Sequence, residues 1–243
     1  MMLKKVHGAL FFRYRSREGL NDHLSKPPGL KMDCENRKNQ QEKSQKMRMR
    51  LIEATLSCLQ TFGFHGASLS RILDKAGASR GAWRHHYATK NELVAAASEY
   101  LLSTALEKAK TVAETLVEGQ RPGGELDIGE LLEIIWDQFY QGRYRDVWVE
   151  FNVACRTDDE LRERLTPVIR SFFEELDSIW STYLSPFSRS GLTAETVMNL
   201  SLYLLRGMSF QSLSMDNADH YKAMRKAWAG MLAGLLVRDS GEE

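Results

Sequence analysis

The segment that most constrains the fold is residues 66–90, where two short helices must be separated by a tight turn. Ser68 and Ser79 each stand immediately before an apolar-periodic stretch, a position at which a hydroxyl caps a helix N-terminus. Gly77 lies between the two stretches and tolerates the left-handed backbone that a turn requires. The inner faces of the two helices carry Ile72, Ala76, Trp83 and Tyr87. This pattern predicts a helix-turn-helix.

Apolar residues recur at steps of three and four along most of the chain from Met47 onward, which predicts helices. The first helix ends near Gly63, and one long helix runs over Leu93–Leu116. No convincing strand or internal repeat is found, so the predicted fold class is all-α, with a three-helix head followed by a C-terminal helical bundle. Further helices are predicted over Leu126–Gln141, Tyr144–Arg156, Asp158–Leu184, Ala194–Ser214 and Ala218–Val237, with breaks at 119–124, 185–191 and 215–217.

Three regions are predicted. Residues 1–44 are polar, basic and aperiodic, so we expect a disordered basic extension. Residues 45–91 form the helix-turn-helix domain, and residues 92–243 form a domain for ligand binding and dimerisation. No apolar run approaches the roughly 18 residues needed to span a bilayer, and we expect a cytoplasmic protein without a membrane partner.

Charge is distributed unequally along a chain whose net charge is only +1. Residues 1–90 hold 18 Lys and Arg against 7 Asp and Glu, whereas the remaining residues hold 15 against 25. Lys46, Arg48, Arg50, Arg71, Lys75 and others keep the excess within the predicted head. Such asymmetry indicates a polyanionic partner for the first part of the chain.

The second helix of the motif leaves Arg80, Arg84 and His85 on its outer face. Arginines at such positions bind guanine edges in the major groove or neutralise phosphates. Ser79, at the start of this helix, can present its hydroxyl and backbone N–H groups to a phosphate. The motif therefore favours recognition of double-stranded DNA.

The same segment resembles the DNA-binding head of the TetR/AcrR family of transcriptional regulators over residues 47–101. The resemblance is carried by Gly63-Phe64, Gly66, Ser68, Ile72, Ala76-Gly77-Ala78-Ser79-Arg80-Gly81, His86-Tyr87 and Lys90-Asn91-Glu92-Leu93. It implies a helix linking the head to a C-terminal ligand pocket, and a homodimer formed by the last two helices. By position, it implies DNA contacts from Ser68, Ser70, Ser79, Arg80, Gly81, Ala82, Arg84, His85, His86 and Lys90.

The sequence departs from the family pattern at three positions. Leu73 stands where the family usually has a small residue, and Arg84 stands where it usually has a phosphate-binding Tyr. Trp83 replaces a smaller aliphatic residue, which we interpret as core filling. These changes affect individual contacts and leave the motif intact.

The C-terminal region contains candidates for a small-molecule pocket, because aromatic residues with a few polar groups are typical of ligand sites. They are also typical of hydrophobic cores, so both interpretations stay open. The candidates are Trp136, Phe139, Tyr140, Trp148, Phe151, Asn152 and Arg156. Residues 204–213 and 228–236 are apolar enough to bury against a second subunit, and Gly207 and Gly230 would permit close helix approach.

The resulting prediction is a ligand-responsive repressor that binds a pseudo-palindromic operator as a dimer and releases it when an effector binds. One alternative is a helical small-molecule-binding protein or enzyme that uses the C-terminal cavity, although no nucleophile–base pair or phosphate loop supports catalysis. Another is a helical interaction protein with a merely solvated basic face. We expect no cofactor, and no metal at His85-His86, because adjacent helical side chains point about 100° apart.

Overall fold

The computed structural model describes residues 30–118, 127–184 and 193–233. The chain divides into two compact units, Met1–Lys43 and Ser44–Glu243. The described residues contain nine helices and no strand, which confirms the predicted all-α class. The helices are α1 (Leu30–Gly66), α2 (Leu69–Ala76), α3 (Arg80–Arg84), α4 (Lys90–Glu118), α5 (Ile128–Phe139), α6 (Gly142–Cys155), α7 (Asp159–Leu184), α8 (Ala194–Gln211) and α9 (Ala218–Leu232).

Helix α1 begins at Leu30, so the prediction of disorder is wrong for residues 30–44. Residues 37–46 are exposed and bury no apolar face, which explains why hydrophobic periodicity gave no helix signal there. Their Glu, Gln, Lys and Arg side chains have high helix propensity, and Glu42 precedes Lys46 by four residues. Residues 1–29 of the predicted extension lie outside the described residues.

The predicted caps and turn of the helix-turn-helix are present. The hydroxyl oxygen of Ser68 accepts a hydrogen bond from the Arg71 amide at 3.4 Å, and that of Ser79 accepts one from the Ala82 amide at 3.1 Å. Gly77 ends α2 in the left-handed conformation, with φ 58°, and its amide donates to the last-turn carbonyl of Asp74 at 3.1 Å. These local contacts explain why the motif could be recognised from sequence.

Two hydrophobic cores hold the second unit together. The head core joins the inner faces of α1, α2, α3 and the start of α4 to residues of α6 and α7, among them Val147, Phe151, Leu161 and Leu165. The body core joins the second half of α4 to α5, α7, α8 and α9. Helix α4 packs along α7 and contributes to both cores. The head is therefore packed directly against the body rather than tethered to it.

The predicted breaks at 119–124 and 185–191 lie outside the described residues. Residues 215–217 form a non-helical connection between α8 and α9, as predicted. Within the described ranges, no helix combines the length and apolarity needed to cross a bilayer.

Candidate nucleic-acid interface and effector cavity

The outer face of the helix-turn-helix carries the predicted DNA contacts. Ser68, Ser70, Ser79, Arg80, Gly81, Arg84 and His85 are exposed, whereas Ala82 and His86 are half-buried. Trp83 and Tyr87 occupy the opposite face and are buried in the head core. The burial pattern thus separates a packing face from a polar, cationic face, which is the arrangement that a major-groove reader needs.

Two of the predicted contacts have constrained side chains. Lys90 donates from Nζ to the Phe64 carbonyl at 2.7 Å and lies 4.2 Å above the centre of the Phe64 ring. Burial lowers the pKa of Lys90. The pKa of His86 is also lowered, first by burial and then by the nearby charges of His85 and Arg48. Lys90 therefore ties α4 to the end of α1, a structural role besides its predicted DNA contact.

Three further arginines hold the motif in place. The sequence analysis used them only in the charge balance of the head. Arg50 donates to the carbonyls of Ala76 and Gly77 and so satisfies the C-terminal end of α2. Arg48 donates from Nε to the Tyr87 hydroxyl at 3.3 Å. Arg71 donates to the Gly66 carbonyl at 2.8 Å and stacks on the Phe62 ring. These contacts show that the three arginines have structural roles, which a sequence cannot distinguish from simple exposure to solvent.

Helix α6 is bonded to α1 by polar contacts around a kink at Gly63. The backbone of Gly63 has φ 65° and ψ 178°, and the following amide, of Phe64, donates to Glu150 at 2.7 Å. Arg143 forms an ion pair with Glu53 at 2.7 Å. The Glu150 contact fixes the end of α1, and hence the entry to the helix-turn-helix, to the third turn of α6, while the Arg143 ion pair joins the first turn of α6 to α1 ten residues earlier.

A small cavity lies in the body core, with a free volume of about 40 Å³. Its lining comes from α4 through α8 and consists of Ala105, Ala109, Val112, Ile135, Phe139, Tyr140, Tyr144, Phe172, Leu176, Trp180, Leu202 and Arg206. The Tyr140 hydroxyl donates to the Leu202 carbonyl at 3.0 Å. Burial raises the pKa of Tyr140 to about 12, although the Arg206 guanidinium offsets part of the rise. Burial also raises the pKa of Tyr144.

Comparison with known proteins agrees with this architecture. Residues 51–97 match the family model described as bacterial regulatory proteins, tetR family. The chain is 25% identical over 191 residues to the HTH-type transcriptional regulator CymR of Pseudomonas putida. The aligned residues make up 79% of this chain and 91% of CymR. The chain belongs to the TetR family. It is accordingly a helix-turn-helix transcriptional regulator, as the sequence resemblance implied.

Solved structures of TetR-like proteins share the fold. A regulator assigned to the TetR family from Mesorhizobium loti superposes with a TM-score of 0.63 at 17% identity, covering 80% of this chain and 98% of that one. FadR of Bacillus subtilis, solved in complex with stearoyl-CoA, superposes with a TM-score of 0.54 at 16% identity, covering 80% and 99%.

The cavity of this TetR-family chain contains only two of the residues predicted for it, Phe139 and Tyr140. Trp136 packs behind the lining, stacked on Tyr140 with 6.2 Å between ring centres. Trp148 also lies behind it, stacked on Tyr144 at 6.3 Å. Both tryptophans belong to the body core, which is the alternative that the aromatic composition left open.

The other three predicted residues, Phe151, Asn152 and Arg156, do not line this cavity, because α6 faces two cores. Phe151 is fully buried in the head core, three residues after Trp148 enters the body core. Asn152 and Arg156 are exposed, and the Asn152 amide donates to the Trp148 carbonyl of its own helix. The missed lining residues come from α4 through α8, and their convergence depends on tertiary packing that periodicity does not specify.

A set of exposed apolar residues extends along α8, through the connection that follows it, and onto α9. We call it the α8/α9 stripe, and its exposed members are Leu200, Tyr203, Leu204, Phe210, Leu213, Met215, Met224 and Met231. A Cβ atom built on Gly207 or Gly230 would meet no heavy atom within 4 Å. Single exposed apolar residues are ordinary, but eight large ones between residues 200 and 231 are typical of a protein–protein interface.

Proposed function

We propose that this TetR-family regulator is a ligand-responsive repressor that binds a pseudo-palindromic operator as a homodimer. The observation that carries the proposal is the helix-turn-helix whose packing face is buried and whose outer face presents Arg80, Arg84 and His85 to solvent. Transcriptional regulators of this kind are not enzymes, and no catalytic activity is proposed. A repressor acts on chromosomal DNA, so the proposal includes a cytoplasmic location.

The proposed DNA contacts divide into two kinds. Arg80 and Arg84 are long, exposed cations suited to guanine edges or phosphates. The exposed serines at the starts of α2 and α3 are suited to phosphates, and contacts of this kind set the register without reading sequence. The complete proposed set is Ser68, Ser70, Ser79, Arg80, Gly81, Ala82, Arg84, His85, His86 and Lys90.

The α8/α9 stripe supports dimerisation through the last two helices. Pairing of two copies there would cover exposed side chains such as Phe210 and Met231, which are 58% and 67% exposed. The open space at Gly207 and Gly230 would let two helices approach closely. Two recognition helices about 34–36 Å apart would then enter successive major grooves, which requires an operator with two-fold symmetry.

Helix α6 supplies a route by which an effector in the cavity would act on the head. Tyr144 lines the cavity, while Arg143 and Glu150 on the same helix bind α1. A ligand that displaces Tyr144 would therefore bias the position of α1. Release of DNA then follows from the different affinities of the two states for operator and effector.

The first test of the proposal is operator binding by the purified full-length protein, measured by fluorescence anisotropy on DNA from upstream of its own gene and on scrambled duplex. Arg80→Ala and Arg84→Ala should each weaken operator binding by about 1–3 kcal/mol if the arginine makes a base contact. Arg170→Ala is the matched control, because Arg170 is an exposed arginine on α7, and its affinity should equal that of the wild type.

The salt dependence provides an independent readout. Specific binding should fall steeply as salt rises, and removing an arginine that contacts phosphate should reduce the slope of log K against log salt by about one. Equal affinity for operator and scrambled DNA, repeated with genome-derived fragments, would overturn the repressor proposal.

A further inference from the structure

Two residues that line the cavity each carry a buried hydrogen-bond donor with no acceptor among the described residues. The donors are the indole Nε1 of Trp180 and the guanidinium Nε of Arg206. Trp180 is only 2% exposed, so solvent does not satisfy its N–H. Both groups can only donate, and an unsatisfied buried donor costs free energy that an acceptor would recover. The cavity is therefore built to receive acceptor atoms.

The positively charged guanidinium of Arg206 lies close to aromatic rings, and no carboxylate side chain among the described residues pairs with it. Its guanidinium carbon lies 4.9 Å from the ring centre of Trp148, and 5.6 Å from those of Phe173 and Tyr203. Among the residues that the structure describes, no carboxylate lies within 4 Å of it. By contrast, Arg225 of α9 is 5% exposed and paired with Glu133 at 2.7 Å.

The rest of the lining determines which uncharged group a ligand should carry. Phe139, Phe172 and Trp180 contribute aromatic surface, while alanine and aliphatic side chains of α4, α5, α7 and α8 complete the wall. Such walls favour a flat apolar group, because aromatic rings stack in offset or edge-on arrangements. The lining contains a single cation, Arg206, which matches a single negative charge and leaves a dianion such as a phosphate monoester half-neutralised.

We infer that the effector is an aromatic monocarboxylate whose carboxylate accepts hydrogen bonds from Arg206 and Trp180. The inference rests on the proposed role of the cavity as an effector site. The free volume of about 40 Å³ is roughly that of one or two water molecules, so the ligand enters only when the lining moves apart. That movement includes Tyr144 of α6, the helix bonded to α1.

The test is isothermal titration calorimetry of the full-length protein, without DNA, using benzoate and 2-naphthoate as probes and benzamide and 2-naphthamide as neutral isosteres. Each carboxylate should bind at least about tenfold more tightly than its amide, because charge-assisted bonds to Arg206 are lost in the amide. Arg206→Gln should abolish that preference, and Arg206→Lys should restore part of it. Arg170→Gln, on the surface of α7, is the control and should keep the full preference.

Trp180→Phe separates the second donor from the aromatic wall. The variant keeps a ring in the lining but removes Nε1–H, so the carboxylate should lose several-fold in affinity while the amide changes little. Circular dichroism and operator binding establish that each variant is folded. Binding of amide and carboxylate with equal affinity, an unaltered preference in Arg206→Gln, or no binding of either carboxylate at millimolar concentration would each overturn the inference.

Operator release is measured separately, so the two proposals can fail independently. Carboxylate binding without release of operator would contradict the repressor mechanism but leave the ligand class standing. Specific operator binding that is insensitive to every carboxylate, with no heat of binding, would contradict the ligand class but leave DNA recognition standing.

Discussion

Replacement of Gly63 by alanine probes the junction between α1, the helix-turn-helix and α6. The backbone at this position, with φ 65° and ψ 178°, falls in a region that is essentially restricted to glycine. An added Cβ would lie 2.9 Å from Oε2 and 3.2 Å from Cδ of Glu150. The same carboxylate accepts the hydrogen bond from the Phe64 amide at 2.7 Å, so the methyl group competes directly with that bond.

The magnitude follows from two contributions. Backbone strain in this region costs about 1–3 kcal/mol. Displacement of Glu150 would also remove a hydrogen bond to a charged group, worth about 1.5–3 kcal/mol. The expected loss in the free energy of unfolding is therefore about 2.5–6 kcal/mol, a large part of the 5–15 kcal/mol typical of a folded domain.

Urea denaturation at one fixed protein concentration measures this loss, because the stability of a dimer depends on concentration. Gly142→Ala is the control for strain alone, since Gly142 has φ 57° and an added Cβ would meet nothing within 4 Å. It should cost only about 1–2 kcal/mol. The double variant Gly63→Ala/Glu150→Ala should show coupling between the two sites. A Gly63→Ala cost no greater than that of Gly142→Ala would refute the reasoning.

Two other outcomes are expected. Phe210→Glu places a charge in the α8/α9 stripe and should convert the dimer to monomer in analytical ultracentrifugation. The control Val153→Glu, at an apolar and 48% exposed position on α6, should leave the dimer intact. A monomeric wild type would contradict the dimer proposal. Tyr140→Phe should be less stable than the wild type at neutral pH, because it loses the bond to the Leu202 carbonyl. Because the folded-state pKa of Tyr140 is raised to about 12, its ionisation favours the unfolded chain above pH 10, and the stability of the wild type relative to the variant should fall by about 2 kcal/mol between pH 10 and 12. Urea denaturation across that range measures it, and a constant difference would show that the hydroxyl is not buried.

The helix-turn-helix could be predicted because its determinants are local. Ser68 and Ser79 cap helices through amides three residues onward, and Gly77 adopts the left-handed conformation at the turn. Trp83 fills the head core, as its departure from the family pattern suggested, and Leu73 is accommodated there at 3% exposure. The two caps and the turn depend only on residues within a few positions in sequence.

The cavity could not be predicted in the same way, because its lining is assembled across five helices. Arg206 and Trp180 carry no motif and lie far from the aromatic cluster of α5 and α6 in sequence. The choice of Phe151 and Asn152 rested on aromatic and polar composition, which does not reveal that residues of α6 contribute to both cores. Likewise, the start of α1 at Leu30 depends on propensity without burial, which hydrophobic periodicity does not register.

The head core has a consequence for how heads and bodies could be exchanged between regulators. Leu51, Ile72 and Trp83 of the head are buried together with Val147 and Phe151 of α6. A chimaera that joined residues 47–91 to a foreign body would leave these apolar surfaces facing side chains never matched to them. A graft that keeps the DNA reader intact would have to carry α6 and the first turns of α7 with it. The natural unit of recombination is therefore a discontinuous set of helices, in which DNA specificity travels with part of the scaffold that senses the effector.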